Sequence, residues 1–87
     1  MKHLLIRHKV ADFAKWKKAF TAHGSVRQAA GLENLYLLRS VDDPSEVVLL
    51  FAASSIPKAK ALLSSENMRV VMQSAGVIGK PEFLFLK

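Results

Sequence analysis

The 87-residue chain has no cysteine, and that absence removes disulfides, thiolate metal ligands and a cysteine nucleophile together. It has no apolar run approaching the roughly 20 residues needed to span a bilayer. Its N-terminus, MKHLLIRH, holds an apolar core of three residues, short of the about 7–15 of a signal-peptide h-region. The chain is therefore read as cytoplasmic. Its four glycines are isolated, so no glycine-rich phosphate loop is present. Of its three histidines, His3 and His8 have opposite strand parity and His23 lies far from both, and no carboxylate or thiolate cluster supports them. Neither a metal nor an organic cofactor is expected. Acid is scarce at one end: residues 1–30 hold seven Lys/Arg against Asp12 alone, while 31–87 balance six against six.

Half the residues, 51%, are hydrophobic, enough for one compact domain over 1–87. A domain of this size buries a modest fraction of its surface, and without disulfides or metal the remaining staple is oligomerisation. The net charge of +6 admits an anionic partner, or a solvated helix face bearing Lys15, Lys17 and Lys18.

Residues 2–10 (KHLLIRHKV) read as a strand with Leu4 and Ile6 on one face. Asp12 stands where an N-cap belongs. At 100° per residue, Phe13, Trp16, Ala19, Phe20 and His23 fall on one side of a helix from about 12 to 23, with the option of continuing to 30 and closing at Gly31. Residues 33–40 (ENLYLLRS) and 46–53 (EVVLLFAA) form a hairpin about the turn Val41-Asp42-Asp43-Pro44-Ser45. Ser55 and Pro57 open a second helix, Ser64-Ser65-Glu66 breaks or re-caps it, and Gly76 with Gly79-Lys80-Pro81 ends it. Residues 82–86 (EFLFL) are the last strand.

The order β-α-β-β-α-β predicts an α+β ferredoxin-like plait: a four-stranded antiparallel sheet with two helices on one face. The strand at 46–53 is apolar on both faces, and helices can cover only one. At about 25 cal/mol per Å² the uncovered face forfeits several kcal/mol, so sheet-to-sheet pairing into a homodimeric α+β barrel is expected. An RNA-recognition domain shares this topology, but its third strand carries aromatics in an R-G-F-x-F-V pattern that EVVLLFA lacks. Nucleic acid is not expected as a partner.

Residues 8–20 (HKVADFAKWKKAF), His23-Gly24, 27–31 (RQAAG), the Asp42-Asp43-Pro44 turn before Glu46-Val47-Val48, and the tail 74–82 (SAGVIGKPE) resemble small bacterial proteins of the dimeric α+β barrel superfamily. The resemblance spans nearly the whole chain. It implies antibiotic-biosynthesis monooxygenase-like or cyclase-like relatives and a ligand pocket between the helices and sheet of each protomer. Haem-degrading members share an Asn on the first strand with a later Trp and His. Here the first strand has no Asn, Trp16 is the only Trp, and no His follows His23.

Each candidate site residue has a structural counterpart. His23 is a general base or a cationic cap on a helix C-terminus. Arg27, one turn on, is an anion holder or another partner of the helix dipole. His8 shares parity with Leu4 and Ile6, and is a pocket ligand or a core histidine. Trp16 packs in the core or lines a ligand. Tyr36 and Arg39 fall on opposite sheet faces, and Tyr36 joins Trp16 and Arg27 in the candidate ligand-binding set. The expected function is binding of a small hydrophobic or aromatic molecule, with cofactor-free oxidation or cyclisation as the chemistry and His23 and His8 as the proton-transfer groups. The alternative is a non-catalytic binding or interaction module whose core is filled by its own side chains.

Overall fold

A computed structural model describes residues 2–87. Its elements are β1 (Lys2–Val10), α1 (Phe13–Ala22), α2 (Gly24–Ala29), β2 (Leu32–Arg39), β3 (Glu46–Ala53), α3 (Ile56–Leu63), α4 (Glu66–Ser74) and β4 (Val77–Leu86). The four strands form one antiparallel sheet in the order β2-β3-β1-β4, which is the ferredoxin-like plait with its helices on one face.

Short polar side chains set the helix starts. Asp12 accepts a hydrogen bond from the Lys15 amide at 3.2 Å, Ser55 from Lys58 at 3.3 Å and Ser65 from Met68 at 3.1 Å. Each satisfies an amide that the first helical turn leaves unpaired. The helix read as running from about 12 to 23 ends as α1, and the option of continuing to 30 is realised as a separate short helix. His23, at φ −93° and ψ 9°, is the joint between α1 and α2. Gly31 closes α2 at φ +77°, a conformation that costs a β-carbon dearly.

Alternation along β1 and β3 builds the core. Leu4, Ile6 and Val10 of β1 and Val47, Leu49 and Phe51 of β3 are buried beneath the helices. The opposite face is uncovered and carries an apolar patch, with Tyr36, Leu38, Ile78, Leu84 and Leu86 exposed on it, beside a charged strip of Arg7, Lys9, Glu46 and Glu82. The ion pairs Arg7–Glu46 (2.9 Å), Arg7–Glu82 (3.5 Å) and Lys9–Asp43 (3.2 Å) occupy part of the N-terminal basic excess.

Two strands depart from the expectation. The last strand starts at Val77 instead of 82, so Gly79, Lys80 and Pro81 lie inside β4. They bulge opposite His8, because Arg7 pairs with Glu82 while Lys9 pairs with Ile78. β4 is an edge strand, where proline's missing N–H deprives no neighbour. In β2 the pairing slips by one residue. Asn34 faces Phe51 but Tyr36 faces Leu50, leaving Leu35 as the extra residue. The Asn34 side-chain amide holds this bulge by donating to the carbonyls of Tyr36 (3.0 Å) and Leu50 (3.4 Å).

Candidate functional site

The sheet face under the helices is not filled to its end. A cavity lies there among β1, β3, α1, α2 and α4, with His8, Trp16, Phe20, His23, Arg27 and Met72 in its wall. Its volume is about 60 Å³. That is more than the ~10–15 Å³ that holds one water and less than the ~150 Å³ of a cavity that takes up benzene.

Four side chains form a column along one side. The His8 ring meets Trp16 edge-on, 5.5 Å between centroids and 63° between planes. Trp16 stacks on Phe20 at 5.0 Å and 21°. The Arg27 guanidinium carbon lies 3.7 Å from the centre of the Phe20 ring. Helical spacing places Trp16 and Phe20 one turn apart on α1, strand parity brings His8 beneath them, and the joint at His23 turns α2 so that Arg27 returns over Phe20.

The polar atoms of this wall lack partners. His8 is 6% exposed, against the Trp16 ring. Its Nδ1 and the Nε2 of His23 are buried with no hydrogen bond. An unsatisfied buried donor or acceptor costs roughly 1–3 kcal/mol, and native interiors seldom carry two in one place. Burial lowers the His8 pKa below the ordinary 6.5, so its imidazole is neutral at pH 7, with one nitrogen a donor and the other an acceptor. Burial also lowers the Arg27 pKa, without removing a charge that arginine keeps in proteins. Among the described residues, no set of three or more His, Asp or Glu is grouped to hold a metal ion, and no helix is long and apolar enough to cross a membrane.

The structure thus brings His8, Trp16, His23 and Arg27 to one cavity and leaves Tyr36 out of it. The β2 bulge is the reason. Unbroken alternation would have put Tyr36 on the side of Asn34, beneath the helices, but the extra residue turns it to the open face, 59% exposed. Arg39 takes the helix side instead, 4.0 Å over the Phe13 ring, with its Nε donating to the Pro44 carbonyl at 2.8 Å. As for capping, the His23 backbone N–H does close α1, bonding to the Ala19 carbonyl at 3.1 Å, while its side chain makes no cap. Met68 and Met72 of α4 also line the cavity. Their i, i+4 spacing on one helix face was the available signal, since flexible methionines suit walls that must repack.

No family model matches the chain, and no curated protein matches it in sequence. Solved structures match it in fold. SnoaB, a cofactor-independent oxygenase from Streptomyces nogalater, is 14% identical over 99% of this chain and 90% of its own, with a TM-score of 0.74. A candidate antibiotic biosynthesis monooxygenase from Bordetella bronchiseptica is 12% identical over 99% and 94%, at 0.80. An uncharacterised NIPSNAP domain protein from Burkholderia xenovorans is 10% identical over 100% and 93%, at 0.68. At such identities the likeness is one of fold.

Proposed function

We propose that this chain is a homodimeric protein that binds a small hydrophobic or aromatic molecule bearing a hydroxyl or carbonyl group, in the cavity between helices and sheet. The observation that carries this reading is the pair of buried, unpartnered imidazole nitrogens, His8 Nδ1 and His23 Nε2, in a wall that is apolar apart from Arg27. A ligand hydroxyl supplies the missing hydrogen bonds, and the Trp16–Phe20 stack supplies a face for a ring. The chemistry available to a neutral imidazole here is proton abstraction from a phenol or an activated C–H. A cofactor-independent oxygenase or a cyclase needs that step, and SnoaB, similar in fold, bears the first of these names.

Phenol is the simplest probe. Titrated against the protein with Trp16 emission as the readout, it should bind to the parent chain as the flexible Met68 and Met72 side chains repack to widen the cavity. His8→Phe and His23→Leu should each weaken it about tenfold without loss of fold. Binding unaffected by either substitution would remove both histidines from the site.

A second reading is favoured by the cavity's size, well below the roughly 300–1,000 Å³ of ordinary ligand pockets. In it the protein's own side chains fill the core and the domain acts as a non-catalytic binding module. That reading expects no phenol response, and a gain in stability when either histidine becomes apolar.

A further inference from the structure

Arg27 and Leu32 line the inner cavity and also a second, outer cleft of about 620 Å³ between α2, β2 and the end of β3. The outer cleft is floored by small residues, Gly31, Ala52, Ala53 and Ser54. The two spaces differ by about tenfold in room, and a guanidinium stands at their boundary.

The two arginines that lie on α1 phenylalanines provide a comparison within the molecule. Arg39 is tied down over Phe13, because its Nε donates to the Pro44 carbonyl at 2.8 Å. Arg27 stacks on Phe20, and its side chain makes no hydrogen bond or ion pair with any described residue. Glu33 is the one carboxylate among the residues lining the outer cleft, and it is not paired with Arg27. A cation–π contact is weaker than a bidentate ion pair with a carboxylate, so Arg27 leaves Phe20 once an anion offers a better partner. Its five donors, now unused, are arranged to take a carboxylate in bidentate fashion.

We propose that Arg27 is the gate between these two spaces and that an anion opens it. The ligand has two parts: a compact apolar or aromatic head that passes into the inner cavity, and a carboxylate that stays in the outer cleft, paired with Arg27. Movement of Arg27 off Phe20 joins the 60 Å³ cavity to the cleft, so a ligand longer than phenol is admitted when its carboxylate is held. The inference deepens the binding function proposed above and depends on the same cavity.

The test compares 3-phenylpropionate with its neutral counterpart, 3-phenylpropanamide, again read by Trp16 emission. The parent protein should bind the carboxylate about 10- to 100-fold more tightly than the amide. Arg27→Gln should abolish that preference, Arg27→Lys should keep part of it, and Arg39→Gln should leave it intact. Thermal melts confirm that each variant is folded, and the comparison on the parent protein needs no variant. Equal binding of acid and amide by the parent, or a preference that survives Arg27→Gln, overturns the gate. Phenol bound through His8 and His23 while neither longer compound binds also overturns it and leaves the cavity standing. Failure of all three compounds overturns both.

Discussion

Burying an imidazole on a strand whose other inward residues are Leu4, Ile6 and Val10 removes hydration that nothing in the protein restores. The consequence is measurable through pH. The folded His8 pKa lies below the unfolded value of 6.5, so below pH 6.5 the unfolded chain takes up a proton that the folded one refuses. Stability is therefore full above about pH 6.5 and falls as pH drops from there to the folded pKa, by at most about 1.4 kcal/mol per pH unit. Melts across pH 7.5 to 5 should show the decline, and His8→Phe should remove this part of it. A parent curve that is flat over that range would mean that His8 has water or a partner. Inward parity for His8 could be read from alternation, and Trp16 on the apolar side of α1 from helical periodicity; Trp16 is 4% exposed. That His8 Nδ1 would lack a partner could not be read, because the partners available to a side chain come from elements distant in sequence.

The elements follow local chemistry, and their departures occur where pairing overrides it. Capping side chains at Asp12, Ser55 and Ser65 mark three helix starts in the sequence and in the structure alike. β4 runs past Gly79 and Pro81, which read locally as a stop, because β1 pairs with it before and after the bulge they form and solvent lies on the other side. In β2 the bulge decides which side chain sees the helices. Asn34→Ala removes the two side-chain hydrogen bonds that hold it and should lower stability by about 1 kcal/mol. Denaturant melts check this. An unchanged midpoint would show that the hairpin turn alone sets the register, through the Ser45 hydroxyl and amide on the Asp43 carboxylate.

At the scale of the molecule, the open sheet face remains without a cover in the single chain. Tyr36, Leu38, Leu84 and Leu86 stand exposed beside the half-buried Leu5, Val48 and Leu50. An apolar surface of that extent usually marks an interface. Sheet-to-sheet pairing of two copies is the expected outcome. Light scattering at micromolar concentration should give about twice the 9.6 kDa chain mass. Leu84→Lys, on the β4 edge of that face beside Leu5, should shift the mass toward the monomer. A parent protein that is monomeric and stays in solution would overturn the assembly.

The sequence by itself determined the element order and the two-layer arrangement, since periods of 3.6 and 2 and the capping residues act over a few neighbouring positions. It also determined that β3 is apolar on both its faces, because VVLLFAA can be read in no other way as a strand. Only the tertiary structure decided which residues meet. Tyr36 left the candidate site through a one-residue slip against β3, and Arg27 came over Phe20 through a joint at His23. His8 and His23, 15 positions apart in sequence, came to line one cavity. Register and the angle between helices arise from contacts between segments far apart along the chain, and no local pattern carries them.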